Sequence, residues 1–283
     1  MKVAVIGGRT TLIVGDRAVD AARAGDDVAL ADPRAVFDVW PTLHELAARL
    51  GSDGVDDAPV LDPAALQRPV PVPLQAFGIG LNYADHAGES AMALPDNPLV
   101  FPKFSSSIVG PNEPVATRSR SLDWEAELVV VIGVDCFEVP TGDALSVIAG
   151  YTVGQDLSDR VVQFENGSNP QFGLGKSAPG FGPVGPWVVS VDELGAAESL
   201  DIRCQVDGVE KQSGNTEQLI FSVPTLVTYL SSRVALHAGD LIFTGTPAGI
   251  GWSREPKQTL IPGSRIDTTI AGIGTLTTRI IGR

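Results

Sequence analysis

The chain is expected to be α+β and mainly β, with a small N-terminal α+β domain over residues 1–72 and a larger β-rich domain over residues 73–283. Three observations lead there. Beyond residue 72 come short apolar runs parted by Gly, Pro and Asn: FGIGL, LVVVIG, GYTVGQD, GPWVVS, LDIRCQVDG, DLIFTGTP, SRIDTTIAG and GTLTTRIIGR. Runs of that length mark strands, and only Val223 to Ser232 has a clear helical period among them. Between Ala58 and Leu74 the prolines Pro59, Pro63, Pro69, Pro71 and Pro73 suit an extended connector with no packed element.

At the N-terminus, MKVAVIGGRTTLIVG reads as a β-hairpin turning at Gly7-Gly8. A dinucleotide fold is not indicated, because no G-x-G-x-x-G follows the first strand. Phe37 to Leu50 places Leu43, Leu46, Ala47 and Leu50 at helical spacing, with Thr42 as the expected cap and His44 on the surface. Farther on, IRCQVDGVEKQ alternates and turns at Asp207-Gly208, a second hairpin.

The stretch that matters most is Leu122 to Gly133, LDWEAELVVVIG. Its apolar run suits a buried strand. Residues i and i+2 of a strand share a face, so Glu125 and Glu127 project together. Like charges that close repel, and burying them unpaired is unfavourable. Either the acids sit in water beside Lys or Arg, or a hard divalent cation with oxygen ligands neutralises them.

Composition narrows the partners. Acidic residues outnumber basic ones by 34 to 20, a formal charge of −14, which argues against nucleic acid or an anionic membrane. No apolar run approaches a membrane span, and Val3 to Ile6 is too short for a signal-peptide core. Two cysteines, Cys136 and Cys204, stand apart from any zinc-type spacing. A cytoplasmic protein is expected.

Further clusters carry acid, base or anion-binding potential. In LNYADHAGES, His86 and Glu89 lie on one side of a helical turn, where the acid can orient the imidazole as a base; a surface ion pair has the same spacing. Lys103 in PLVFPKFSSSIVGP either snorkels or faces a bound anion. In GYTVGQDLSDR, Asp156 ends a strand and is the candidate third carboxylate, with Arg160 bracing the loop. Lys176 sits among glycines in FGLGKSAPGFGPVGPW, without the spacing of a P-loop. Thr244-Gly245-Thr246-Pro247 either binds a carboxylate or makes a plain turn.

Taken in order, LNYADHAGE, PLVFPKFSSSIVGP, LDWEAEL, GYTVGQDLSDR, GKS with GPVGP, and GDLIFTGTPAGIG resemble the fumarylacetoacetate hydrolase family over residues 77–282. The resemblance implies a roll of mixed β-sheets, a homodimer and a bound Mg2+ or Mn2+. It implies Glu125, Glu127 and Asp156 as metal ligands, and His86 with Glu89 as the water-activating pair on a loop that closes over substrate. Lys176 falls on the family's active-site lysine, and Lys103, Gln163 and Thr246 are expected at the substrate. Two departures stand out: GKSAPGF replaces the GKSFDTF of many relatives, and Gln155 stands where Asn is common. The first is expected to change the pocket wall near Ala178 and Pro179.

Three carboxylates leave open positions on an octahedral ion, so a 2-oxo acid can chelate there. With a 4-oxo group present, water activated by His86 attacks that carbonyl, the C3–C4 bond breaks and an enolate remains at the metal. The expected activity is a metal-dependent hydrolase cleaving a C–C bond in a 2,4-dioxo acid of the acylpyruvate type. The same residues serve a decarboxylase of the oxaloacetate type or an isomerase of the hydroxymuconate type. A catalytically silent binding protein is the rival from another class.

Overall fold

The computed structural model describes residues 1–51, 55, 57–85 and 95–283. Its larger sheet runs Arg17–Asp20, Arg9–Val14, Lys2–Ile6, Gly182–Ser190, Ile148–Gln155, Ala126–Ile132, Leu241–Phe243, Ala76–Gly80 and Leu99–Lys103. Leu66–Gln67 and Ile108–Val109 join it beside Lys2–Ile6 and Gly182–Ser190. A second sheet runs Val209–Asn215, Asp201–Val206, Arg265–Ile270, Gly274–Gly282 and Val115–Thr117. Most neighbours are antiparallel, but Leu241–Phe243 pairs parallel with Ala76–Gly80, Gly182–Ser190 with Ile108–Val109, and Gly274–Gly282 with Val115–Thr117. The chain is therefore mainly β with mixed sheets, as the run of short apolar segments predicts.

Ala126–Ile132 is buried at every position, which explains the continuous apolar run Leu128–Ile132 within it. Its two faces are covered differently. Ala126, Leu128, Val130 and Ile132 pack into the core that includes Ile202, Ile266 and Leu276 of the second sheet. Val129 and Val131 pack with Leu241, Phe243, Ala76 and Val70. By the alternation of a strand, Glu125 and Glu127 share the face of Val129 and Val131.

The N-terminal hairpin forms as expected, with Val3 opposite Leu12 and Ile6 opposite Arg9. It does not stop there, because Lys2 and Val3 pair with Val189 and Val188 and extend the large sheet. The helix runs Trp40–Leu50 and buries Leu43 and Leu46, each contributing roughly 1.5–3 kcal/mol by burial. Thr42 is not its cap: Val39 stands at the N-cap without a side-chain bond, and Pro41 occupies the first turn, where its missing N–H is not needed. The proline-rich stretch is also more packed than expected. Leu66 and Val70 are buried and Leu66–Gln67 pairs with Lys2–Ile6, since a proline removes only its own donor and leaves the residues between prolines free to pair.

Two other elements follow their sequence signals. The hairpin between Asp201–Val206 and Val209–Asn215 turns at Asp207 and Gly208, both at positive φ, as a tight two-residue turn needs. Val223–Ser231 is a helix whose N-cap Ser222 accepts the N–H of Thr225. Among the described residues no helix is long and apolar enough to cross a membrane.

Candidate active site

The site is built at the ends of two adjacent strands. In the antiparallel register of Ala126–Ile132 with Ile148–Gln155, Ala126 faces Gln155. Glu125 therefore enters one strand where Asp156 leaves the other, and the Asp156 N–H donates to the Glu125 carbonyl at 2.9 Å. Each of Glu125, Glu127 and Asp156 contributes a carboxylate oxygen to a cluster whose atoms lie within 4.8 Å of one another, and all three residues are buried.

Three buried cations surround this cluster. Lys176 Nζ donates to Glu125 Oε2 at 2.6 Å and Asp156 Oδ2 at 2.7 Å. Arg160 Nη2 donates to Glu125 Oε1 at 2.7 Å, its Nε to Asp123 Oδ2 at 2.9 Å and its Nη1 to Gln163 Oε1 at 2.9 Å. Lys103 Nζ donates to Asp156 Oδ1 at 2.6 Å and to the carbonyls of Lys176 and Phe181. Glu127 is different: its Oε2 accepts the Gly245 N–H at 2.8 Å, and no cation among the described residues pairs with it. Burial first, then the charges of Asp156 and Glu125, push the Glu127 carboxyl well above the usual carboxylate range. Burial opposes the charge of Lys176, but Asp156 and Glu125 outweigh it and hold the ammonium above its ordinary value. For Lys103 burial wins, and its pKa is lowered despite Asp156.

These donors fit a hard divalent ion. They are all carboxylate oxygens, they converge, and one of them, on the buried Glu127, makes no ion pair among the described residues.

Backbone and amide contacts fix the cluster in place. Gly245 lies at φ +102, and a Cβ there would stand 2.8 Å from Asn82 Cβ, so glycine lets its N–H reach Glu127. Gln155 Oε1 accepts the Glu125 N–H and its Nε2 donates to Thr268 on the second sheet. Gln212 Oε1 accepts the Ala126 N–H, and its Nε2 donates to Thr246 Oγ1 and the Pro247 carbonyl. The glutamine at position 155 thus ties the acid-bearing strand to the opposite sheet.

A cleft of ≈ 370 Å³ opens over the carboxylates, lined at its charged end by Glu125, Glu127, Arg160, Gln163 and Lys176. Thr246 also lines it, but its hydroxyl donates to the Ala126 carbonyl and accepts from Gln212. Lys103, expected at the substrate, stands instead behind Asp156. Its side chain has no exposure, and three protein acceptors take its three donors. Arg160 braces the loop as expected and lines the cleft as well. Ala178 and Pro179 do not form the cleft wall; they line a separate depression with Arg118 and Arg283. His86 and Glu89 lie outside the described residues.

Sequence reasoning missed Asp123. Fully buried, it accepts the N–H groups of Trp124, Gly251 and Trp252 as well as Arg160. The only hint was an acid two residues before Glu125, at a position that also reads as a plain strand start.

Residues 75–281 match the family model described as fumarylacetoacetate (FAA) hydrolase, C-terminal. The whole chain is similar to a protein of Mycobacterium smegmatis provisionally named HpcE, at 42% identity and TM-score 0.87, covering 100% of this chain and 99% of that one. It is similar to a 5-carboxymethyl-2-hydroxymuconate delta-isomerase of the same organism at 27% identity and TM-score 0.75, over 100% and 99% of the two chains. A maleylpyruvate hydrolase of Sphingobium sp. SYK-6, solved with manganese(II) and pyruvate, is 25% identical with TM-score 0.80, over 100% and 99%. With its mixed sheets and convergent carboxylates, the chain belongs to the fumarylacetoacetate hydrolase family.

Proposed function

We propose that this chain is a divalent-metal-dependent hydrolase that cleaves the C3–C4 bond of a 2,4-dioxo acid of the acylpyruvate type. The observation that carries the reading is the buried trio Glu125, Glu127 and Asp156, of which Glu127 makes no ion pair among the described residues, with Glu125 and Glu127 lining a ligand-sized cleft. These three residues would hold Mg2+ or Mn2+. The ion, when bound, supplies Lewis-acid polarisation of the substrate's carboxylate and 2-oxo oxygens. The relative solved with manganese(II) and pyruvate supports this assignment.

The chain's own groups complete the reaction. His86, paired in sequence with Glu89, is assigned as the base that takes a proton from water as the water attacks C4. The C3–C4 bond breaks, its electron pair passes into the three-carbon fragment, and a proton returned to C3 gives pyruvate and a carboxylic acid. Lys176, already held in the charged form by its carboxylate neighbours, offsets the negative charge that develops on that fragment. Gln163 uses its carbonyl oxygen on Arg160, which leaves its amide N–H groups to donate to substrate oxygen.

An isomerase reading is supported by the similar delta-isomerase, and it needs the same residues without the attacking water. Product analysis separates the two. Acylpyruvate supplied with Mn2+ should yield pyruvate and carboxylic acid in equal amounts, with no yield in EDTA or with Glu125→Ala. His86→Ala should abolish it by roughly 10²–10⁴-fold. A shifted double bond in a 2-hydroxydienoic acid with no cleavage of acylpyruvate would favour the isomerase, and no turnover of either would favour a silent binding protein.

We also propose a cytoplasmic homodimer. The exposed apolar side chains Leu74, Phe104 and Leu174 support self-association, and light scattering of the eluting protein measures it.

A further inference from the structure

We infer that the cleft selects 2-oxo acids whose far end is apolar, with Phe164 and Trp252 as the wall against which that end packs; this rests on the 2-oxo-acid reading above. The cleft is polarised. Its charged lining residues Glu125, Glu127, Arg160 and Lys176 gather at the carboxylate cluster, and the rest of the lining is largely apolar: Phe101, whose ring centroid lies 5.3 Å from Lys176 Nζ, then Ile79, Phe172 and Ile250 with the Phe164–Trp252 pair. The rings of that pair stack with centroids 6.3 Å apart and planes at 19°, yet Phe164 keeps 40% of its surface exposed. An aromatic face left open inside a cleft is unfavourable in water and is covered when an apolar ligand enters.

The pair is built deliberately from two distant segments. Phe164 directly follows the short helix Arg160–Gln163, and Trp252 lies on the segment after Gly249. Asp123 joins them, accepting Arg160 Nε on one side and the N–H groups of Gly251 and Trp252 on the other. The same Arg160 bonds Glu125 and Gln163, so the aromatic wall is referenced to the reacting end of the cleft.

A second carboxylate at the far end has no matching cation. Arg160 and Lys176 are the only lysine or arginine side chains lining the cleft among the described residues, and both are bonded to the carboxylate cluster. The sequence of residues 86–94, HAGESAMAL, contains neither lysine nor arginine. Lys257 sits 3.6 Å over the Trp252 ring but outside the cleft lining. An ω-carboxylate would therefore lose its water without an ionic partner.

The test is calorimetric binding to the Mn2+-loaded protein of two matched ligands, 2-oxooctanoate and the same chain ending in a carboxylate. Neither has a 4-oxo group, so the readout does not depend on hydrolysis. With a buried methylene worth about fourfold in affinity, the alkyl acid should bind at least roughly tenfold tighter. Trp252→Ala and Phe164→Ala should each remove most of that preference while leaving pyruvate binding within about twofold, since neither ring is part of the carboxylate floor. Equal or tighter binding of the ω-carboxylate overturns the inference, as does a uniform loss for pyruvate and 2-oxooctanoate in both variants. Hydrolysis is assayed separately: tail preference without acylpyruvate cleavage sinks only the reaction, and cleavage without tail preference sinks only the wall.

Discussion

Replacing Asp123 by alanine removes one carboxylate and leaves four donors without it. Three are backbone N–H groups, of Trp124, Gly251 and Trp252, and the fourth is the Arg160 guanidinium, whose Nε stands 2.9 Å away. Arg160 is 3% exposed and would keep only Glu125 and Gln163. Breaking a buried pair by removing one partner destabilises by about 3–5 kcal/mol, because the survivor stays buried without compensation. Each buried N–H left unmet adds about 1–3 kcal/mol, though the contributions overlap where water enters the vacated space. The expected loss is therefore at least about 3 kcal/mol, read from urea unfolding as a lower midpoint at unchanged slope. Asp123→Asn keeps the shape and one acceptor oxygen, so it should lose less. A loss below about 0.5 kcal/mol in Asp123→Ala would refute the reasoning, since surface substitutions alone reach that size.

Two more predictions concern the carboxylates. Lys103→Met should weaken Mn2+ binding by about 10–100-fold although the lysine faces no ligand, because Asp156 loses the ammonium that orients its Oδ1; calorimetric titration measures it. The folded chain holds the Glu127 proton more tightly than the unfolded chain does, since its carboxyl is raised. Stability of the metal-free protein should thus be greatest below the ordinary glutamate range and fall as pH rises from there toward the raised value. Mn2+ affinity should rise across the same window, because binding expels that proton; urea midpoints and calorimetry at stepped pH follow both.

Much of the site was legible because it is local. Glu125 and Glu127 share a face through the period of a strand, and Asp156 closes a neighbouring apolar run, so both patterns could be seen before any pairing was known. What the sequence hid is what pairing and burial decide. Lys103 reads as a substrate contact until the register places it behind Asp156, 53 residues away in the chain. Asp123 finds its backbone donors 128 and 129 residues away, at Gly251 and Trp252, and nothing in LDWEAEL foretells them. Thr42 reads as a cap because hydroxyls often are, but the helix already starts at Trp40, with Pro41 in its first turn. The first strand reads in sequence as one arm of a hairpin, whereas its other edge pairs with Val188 and Val189 across the chain.

Mn2+ titration of wild type beside Glu127→Gln decides whether the three carboxylates form a metal centre. Glutamine preserves the shape of the residue and removes only the charge. A metal centre there should take one ion per wild-type chain and bind it at least roughly 100-fold more weakly in Glu127→Gln, more than loss of an outer support would give. Equal affinity and stoichiometry in the two proteins would contradict it.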